Sequence, residues 1–316
     1  MSDHSAKQFR SGLLFGLVAY TWWGLVPLYF AALKSFGVSA WEILAHRIVW
    51  SLPVLALLMI VNAGGPDLFR VLRDRRLVLT LLFSATLLAI NWLLYIYATV
   101  TNRVAEASLG YYMMPLVNAT LAPIFLGERL RPAHYPALAL IALGVAIPFV
   151  AAGTFTWIAL ALPVTFGFYG LVRKKVPVES QTGLTVETLL LLVPSLSYLC
   201  YLWLTGQNHM GSDWGLNSLI AASGIVTVVP LLTFTLSLRR LPLLAISFIQ
   251  FVSPTVQMLL AITVLGESLT AVRLAAFVCI WLAVGIFVTD AVRQTRAQKR
   301  KLSTVPALGV ELRVTR

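Results

Sequence analysis

The chain has 316 residues, of which 59% are hydrophobic and only 11% are charged. Soluble domains contain roughly 45–50% apolar and about 25% charged residues, so this composition excludes a soluble globular protein. The net charge of +12 is compatible with nucleic-acid binding, but basic loops also orient membrane proteins, so the positions of the charges have to decide.

Ten stretches of the sequence are long and apolar enough to cross the hydrocarbon core of a bilayer, which takes about 20 helical residues. The connections between them are short and leave little chain for a domain outside the membrane. The sequence therefore predicts an all-α integral membrane protein with ten transmembrane helices. The predicted segments cover residues 12–31, 42–62, 77–99, 106–126, 135–151, 156–172, 183–204, 215–236, 243–265 and 271–290.

Lysines and arginines are distributed unevenly about these segments. If both termini are cytoplasmic, twenty of the 24 basic residues lie on the inner side, and only Lys34, Arg103 and Arg273 lie outside. Membrane proteins carry this excess of positive charge in their cytoplasmic loops. The asymmetry predicts that residues 1–11 and the basic tail 291–316 are both cytoplasmic, and it makes a nucleic-acid partner remote.

The first segment contains the motif AYTWWGLVPLYF, in which Tyr20 and Pro27 share a helical face and Trp23 lies beside them. A proline inside a span frees a carbonyl group and bends the helix, which suits a hinge beside a cavity. Tryptophans also form belts at membrane interfaces, which is the alternative for this one. We expect Tyr20 and Trp23 to line a substrate cavity and Pro27 to act as a hinge.

The second segment contains WEILAHRIVW, which places Glu42, His46 and Arg47 near its outer end. An ionisable residue within a span is costly and indicates a functional role unless a partner satisfies it. Arg47 is close enough to the interface to extend to it, or to pair with Glu42 or with Glu106 at the start of the fourth segment. His46 and Arg47 are therefore candidates for gating or coupling, with a structural role as the alternative.

Further polar and aromatic residues occur in the third, sixth and eighth segments. Asn91 and Tyr95 are one turn apart in the third segment, Tyr169 lies in the sixth, and Pro230 in the eighth is another hinge candidate. Aromatic faces with a few amides and hydroxyls, and no strong charge, suit a flat amphiphilic organic solute better than an inorganic ion. Tight packing of an ordinary helix bundle is the alternative.

The fourth and ninth segments resemble each other. Setting Pro115 against Pro254 gives nine identities in 27 aligned positions, including a terminal LGExL in both copies. A shared proline and a shared Gly-Glu pair at fixed spacing indicate duplication, and we expect both prolines to be hinges. Five segments per copy is an odd number, so the second copy must cross the membrane in the opposite sense. The sequence thus predicts two inverted five-helix repeats, residues 12–151 and 152–290, an architecture typical of transporters.

Both copies carry polar groups at the same two places on one helical face, namely Tyr111 with Gln250 and Asn118 with Gln257. An amide that faces lipid leaves hydrogen-bonding groups unsatisfied, so these faces should turn toward protein or a water-filled cavity. We expect the four residues to line the substrate cavity. Hydrogen bonds that hold neighbouring helices together are the alternative.

Acidic residues are absent from the middle of every predicted segment. Glu187 lies in the seventh segment near its cytoplasmic end, and it joins Glu106 as a candidate for coupling transport to protons. Strong proton coupling is not indicated by this pattern, and facilitated flux stays open.

The sequence contains no GxxxxGK[ST] motif, and its four histidines lie in separated segments, as do Cys200 and Cys279. We therefore predict no catalytic residues, no metal site and no cofactor, and we expect energy to come from gradients rather than ATP. An integral-membrane enzyme or scaffold that acts on lipid-linked substrates is the alternative function.

These motifs resemble a known family. AYTWWGLVPLYF, EILAHRIVWS, NWLLYIYA and SPTVQMLLAITVLGESL are similar to segments of RarD proteins, which are EamA-type members of the drug/metabolite transporter superfamily. The resemblance runs from about residue 12 to 290. It implies a permease of the bacterial inner membrane with ten helices and a central pathway lined by the first, third, fourth, sixth, eighth and ninth of them.

We therefore expect a secondary transporter that moves a small amphiphilic organic solute, a drug or metabolite, by alternating access. The RarD resemblance suggests chloramphenicol-type permease activity. The expected partners are the small-molecule substrate and the lipid bilayer, and both a monomer and a dimer are compatible with the sequence. The tail after about residue 293 is expected to be disordered.

Overall fold

The computed structural model describes residues 3–101, 103–152, 157–211, 213–264 and 270–303. Side chains are described for all of these except residues 3–6, 104–106, 108, 109, 152, 261 and 295–303. Regular secondary structure in this part of the chain is entirely α-helical, as the sequence predicts. The twelve helices are α1 (Asp3–Ser35), α2 (Ala40–Val61), α3 (Gly65–Arg73), α4 (Arg75–Val100), α5 (Val104–Leu126), α6 (His134–Ala152), α7 (Trp157–Lys175), α8 (Ser180–Leu204), α9 (Trp214–Leu238), α10 (Leu243–Ile249), α11 (Val252–Thr263) and α12 (Ala271–Ser303).

Short polar side chains determine where several helices begin. The Ser39 hydroxyl accepts a hydrogen bond from the Glu42 amide at the start of α2. Asp74 caps α4, and Asp213 caps α9. Each cap satisfies an amide that has no partner within its helix, so the sequence fixes these three boundaries locally.

Eight stretches of helix in the described residues are long and apolar enough to cross a membrane. Large apolar side chains such as Ile60, Val150 and Leu204 are exposed on the outer surface of the bundle, where lipid tails can cover them. The protein is therefore a multi-pass membrane protein. The eight stretches are Lys7–Ser35, Ala40–Val61, Arg75–Val100, His134–Ala151, Ser180–Leu204, Trp214–Leu238, Leu243–Leu260 and Ala271–Gln294.

The ninth predicted segment is two helices rather than one. The chain leaves the helical pattern at Gln250 and Phe251, between α10 and α11. Pro254 contributes to the break, because it has no amide hydrogen to donate to the Gln250 carbonyl and its ring crowds that group. The Gln250 carbonyl instead accepts the Ser253 amide at 3.0 Å.

One further expectation, at the end of the last predicted segment, was wrong. The tail expected to be disordered after about residue 293 is helical as far as Ser303, because α12 continues past the apolar stretch; residues 304–316 lie outside the described part. A short helix, α3, occupies a loop in which no helix was predicted. It packs its fully buried Val71 against Leu81 and Val186, so tertiary contacts stabilise it.

Two apolar clusters hold the bundle together. The larger one includes Phe30, Leu88 and Leu231 and joins α1, α2, α4, α7 and α9. The second includes Ile141 and Ile280 and joins α6 and α12 to α5 and α10. Helices α6 and α12 therefore pack at the side of the molecule, while the helices of the larger cluster surround its centre.

Candidate functional site

A cavity lies at the centre of the bundle, bounded by α1, α2, α4, α5, α7 and the broken pair α10–α11. Its volume is about 60 Å³. Sites for drug-sized ligands occupy roughly 300–1,000 Å³, so a solute of that size requires the surrounding helices to move apart. The lining residues are Tyr20, Trp23, Val26, Phe30, Arg47, Asn91, Trp92, Tyr95, Tyr111, Phe166, Gln250, Ser253, Pro254 and Gln257.

The structure brings together most of the residues predicted to line a cavity. Tyr20, Trp23, Asn91, Tyr95, Tyr111, Gln250 and Gln257 all border this space. Asn118 and Tyr169 are not among its lining residues. The first group comes from both halves of the chain, so one cavity joins the two halves.

The cavity amides are held by their neighbours. Asn91 donates to the Leu162 carbonyl at 2.8 Å and to the Thr165 hydroxyl at 3.0 Å. Gln250 and Gln257 make longer contacts, 3.4 Å each, with the carbonyl groups of Tyr111 and Trp23. Bonds of that length are weak, so the two glutamines remain able to turn toward a solute.

The break between α10 and α11 places backbone next to the cavity. Gln250 sits at the break, and Pro254 lines the cavity one turn later. Non-helical backbone at membrane depth is tolerated where it borders a cavity, and discontinuous helices are common at the substrate sites of transporters.

Aromatic side chains close one end of the cavity. Trp23 lies between Tyr20, Phe166 and Phe234, with ring centroids 5.3, 5.6 and 5.5 Å away. Phe166 and Phe234 are themselves 5.0 Å apart. Such edge and tilted contacts stabilise packed rings, and they form an apolar surface against which a flat solute can lie.

Tyr169 and Asn118 occupy other environments. Tyr169 is fully buried behind the aromatic end, with its ring stacked 6.2 Å from Phe234. Asn118 donates a hydrogen bond of 2.7 Å to the Ser247 hydroxyl and so links α5 to α10. This contact corresponds to the alternative of a bond between neighbouring helices.

Arg47 reaches the cavity. Its side chain is 3% exposed, and its Nε donates to the Thr227 hydroxyl at 2.9 Å. The guanidinium carbon lies 4.3 Å from the Trp92 ring centroid and 5.4 Å from that of Phe30. The side chain therefore does not extend to the membrane interface, because aromatic rings of α1 and α4 draw it inward.

Glu42 is not the partner of Arg47, although the sequence allowed this pairing. Its carboxylate accepts the His209 amide at 3.0 Å and lies 2.7 Å from His209 Nδ1. His46 Nε2 is 3.8 Å from the same carboxylate. Tertiary folding supplied His209 from the loop after α8, which the sequence did not indicate.

Glu187 is buried beside Arg173 rather than in the cavity. Its Oε1 lies 3.7 Å from Arg173 Nε and accepts a hydrogen bond from the Ser84 hydroxyl. Arg173 also donates to the Ser180 carbonyl at 3.1 Å. The side chain of Glu106, the other coupling candidate, lies outside the described residues.

The four predicted hinge prolines differ in setting. Pro27, Pro115 and Pro230 lie inside α1, α5 and α9, which continue through them. Pro254 alone among the four borders a complete break in its helix. The first Gly-Glu pair ends α5, where Gly127 adopts φ 65° and the Glu128 carboxylate accepts the Leu243 amide at 2.9 Å; the second pair lies outside the described residues.

Phe30, Trp92, Phe166 and Ser253 were missed as lining residues. Phe30 continues the face of α1 that carries Tyr20 and Trp23, and that spacing was a usable signal. Trp92 and Phe166 had none, because an isolated aromatic residue in an apolar helix looks the same whether it faces a cavity, a neighbour or lipid.

The chain is similar to known transporters. The model of the EamA-like transporter family matches residues 10–150. Protein RarD of Salmonella typhi is 43% identical over 292 residues, covering 92% of this chain and 99% of that protein. An uncharacterized transporter of Vibrio cholerae is 42% identical, with coverage of 92% and 96%.

A solved crystal structure has a fold similar to that of this chain. It has a TM-score of 0.69 and covers 90% of this chain and 99% of its own. At 20% identity this likeness concerns the fold alone. The extensive similarity to RarD proteins, at more than 40% identity, decides the family. The chain belongs to the RarD family of EamA-type membrane transporters.

Proposed function

We propose that this protein is a secondary transporter that moves a small amphiphilic organic solute through the central cavity by alternating access. The observation that carries the proposal is the cavity itself, because both halves of a transporter-family chain contribute polar and aromatic side chains to it. The proposed role is transport without a catalytic step and without ATP.

The proposed architecture is ten membrane-spanning helices in two inverted repeats, residues 12–151 and 152–290. In it, α5 and α7 also span the membrane, and α10 and α11 together form one span. The uneven distribution of basic residues supports a cytoplasmic location of residues 1–11 and 291–316. The similarity to bacterial RarD proteins supports a location in the bacterial inner membrane.

The helix contacts support the repeat. In the proposed repeat, α1 corresponds to α7, α4 to α9, and α5 to the pair α10–α11. The contacts of α1 with α9 and α11 therefore correspond to contacts of α7 with α4 and α5. All four contacts occur. The pairs α2–α8, α6–α12 and α5–α10 each join a helix to its own counterpart. A two-fold relation between the halves accounts for this pattern.

Two glycines support the repeat at atomic detail. A Cβ atom at Gly24 would lie 2.6 Å from Val256 Cβ, and one at Gly167 would lie 2.9 Å from Val117 Cγ1. Val117 and Val256 are aligned positions of the two copies. Each half therefore packs a glycine against the corresponding valine of the other half.

These contacts predict a symmetrical pair of defects. Gly24→Val and Gly167→Val should each reduce transport by about tenfold or more, because no room exists for the added atoms. Val256→Ala and Val117→Ala, respectively, should restore part of the loss. Gly285→Val is the matched control, since nothing lies within 4 Å of a Cβ placed there. Equal transport by all variants would contradict the repeat packing.

Proton coupling, where it exists, is proposed to involve Glu187 or Glu106, with His46 as a further candidate for gating. Glu187 contacts Arg173 and Ser84 and does not line the cavity, so this proposal requires the contact to open during the cycle. Proton-driven uptake that survives in both Glu187→Gln and Glu106→Gln would remove this part of the proposal.

The transport function is tested with purified protein in liposomes. Uptake of labelled chloramphenicol, amino acids, nucleosides and aromatic metabolites is measured with and without a proton gradient. We expect saturable uptake that empty liposomes lack. Gln257→Ala should reduce it because this side chain borders the cavity, while Asn118→Ala should act mainly on the stability of the α5–α10 contact. Absence of saturable uptake for the whole panel would count against the proposal.

The proposed topology is tested by labelling single cysteines with a membrane-impermeant maleimide in whole cells, after Cys200 and Cys279 are replaced by serine. We expect labelling at positions 37 and 207, in the loops after α1 and α8, and protection at positions 64 and 131 until the cells are opened. Labelling at position 131 in intact cells would contradict the proposed orientation.

A further inference from the structure

Arg47 brings a charge to the centre of the protein, and no described side chain of opposite charge pairs with it. Among the side chains that the structure describes, no carboxylate lies within ion-pair distance of its guanidinium group. Glu42, the nearest acidic residue in the sequence, is bound to His209. The cavity itself has no acidic residue among its lining side chains.

The contacts that Arg47 does make only partly compensate for burial. The Thr227 hydroxyl satisfies one of five N–H donors, and the rings of Trp92 and Phe30 attract the cation. Removing an arginine from water costs more than these neutral contacts return, and buried charges are normally paired. Only 3% of Arg47 is exposed, and the residue lines the central cavity.

A planar guanidinium group binds a carboxylate with two parallel hydrogen bonds, and Arg is preferred over Lys where such bidentate recognition is used. The remainder of the cavity suits an apolar or aromatic body, since Trp23, Tyr111 and Phe166 contribute rings to it. A ligand ammonium group, in contrast, would find no carboxylate there. The cavity therefore favours a single negative charge attached to a flat apolar group.

On the basis of the transport function proposed above, we propose that the substrate is an amphiphilic monocarboxylate whose carboxylate binds Arg47 and whose apolar body lies against the cavity aromatics. The charge of Arg47 is then compensated by the solute rather than by the protein. Neutral and zwitterionic compounds of the same shape should bind more weakly.

Three compounds with one carbon skeleton separate these possibilities. Binding of 3-phenylpropionate, 3-phenylpropanamide and phenylalanine to the purified protein is measured by calorimetry and by the shift in thermal unfolding midpoint. The same measurement is made with the pairs benzoate and benzamide, and indole-3-acetate and indole-3-acetamide. We expect at least one carboxylate to bind about tenfold or more tightly than its amide, because a charge-assisted pair is lost in the amide.

Variants of Arg47 identify the site. Arg47→Gln should abolish the preference for the carboxylate, and Arg47→Lys should keep part of it because the charge remains. Arg75→Gln is the matched control, since it removes an exposed arginine far from the cavity. Size-exclusion profiles show whether each variant is folded. If Arg47→Gln does not fold, Arg47→Lys keeps the test decisive.

The outcomes distinguish this inference from the proposed transport function. Equal binding of carboxylate and amide, failure of all three carboxylates to bind, or an unchanged preference in Arg47→Gln overturns the inference. Proteoliposome uptake of neutral solutes that carboxylates do not affect also overturns the inference, but it leaves the proposed transport function intact. Arg47-dependent carboxylate binding without flux of any compound supports the anion site and counts against transport.

Discussion

Two arginines in the described part of the chain are almost completely buried, and they differ in what faces them. Arg173, which is 4% exposed, lies 3.7 Å from the carboxylate of Glu187 and donates to a backbone carbonyl. Arg47, which is 3% exposed, contacts a hydroxyl and two aromatic rings at the edge of the cavity. The first charge has a counter-charge beside it, and the second has none among the side chains that the structure describes.

The difference separates a structural charge from one available to a ligand. A buried ion pair contributes little net stability, but removing one partner leaves the other buried and unpaired, which is expensive. Arg47 has no such dependent carboxylate in the described part of the chain. The same substitution should therefore have different consequences at the two sites. At Arg173 it should lower the stability of the protein, and at Arg47 it should weaken substrate binding.

The largest expected effect on stability is at Arg173. Arg173→Met should lower the free energy of unfolding by about 3–5 kcal/mol, because Glu187 is left buried without its cation. Arg47→Met, the same substitution at the other site, should change it by less than about 1 kcal/mol, since no carboxylate is orphaned. Unfolding in detergent with increasing SDS measures both. Similar losses in the two variants would show that the arginines have equivalent roles.

A smaller effect is expected at Ser84. Ser84→Ala removes the hydroxyl that donates to Glu187, and the cost should be about 1.5 kcal/mol because the acceptor is charged. The same SDS titration measures it. Thr86→Ala is the matched control, since the Thr86 hydroxyl bonds only the carbonyl of Leu82 in its own helix at an exposed position. A loss no larger than that of the control would mean that Arg173 alone satisfies the carboxylate.

The smallest effect on stability is expected at Thr227. Thr227→Val removes the hydroxyl that positions Arg47, and polar contacts between membrane helices contribute on average about 0.6 kcal/mol. Its effect on function should be clearer, as a several-fold weaker binding of carboxylates with little change for their amides. Calorimetry of the variant measures this preference. An equal decrease for both compounds would indicate a change in cavity shape rather than in the orientation of Arg47.

Part of the site could be predicted from the sequence, because an amide in an apolar helix has few acceptable surroundings. Gln250 and Gln257 were expected to face protein or a cavity on this ground, and both border the cavity. Asn118 lies on the corresponding predicted face of α5, yet its amide binds Ser247. Helical periodicity identifies a polar face, but the neighbouring helix decides whether that face meets a hydroxyl or an open space.

The aligned prolines show a similar limit. Pro115 and Pro254 occupy corresponding positions, and each removes one backbone hydrogen bond. Helix α5 continues through Pro115, whereas the chain breaks before Pro254. Because a proline removes one hydrogen bond in both helices, the proline alone does not account for the break, and the surroundings of each helix also contribute.

By itself, the sequence determined that this chain is a helical membrane protein, where most helices begin and end, and which side chains cannot face lipid. These properties follow from apolar length, capping residues and the cost of unsatisfied polar groups, all of which act locally. Only the tertiary structure decided that Glu42 binds His209, that Glu187 binds Arg173, and that Arg47 is left facing the cavity. The physical reason is that ion pairing depends on the distance between two groups in space. That distance is set by the packing of helices that are far apart in the chain.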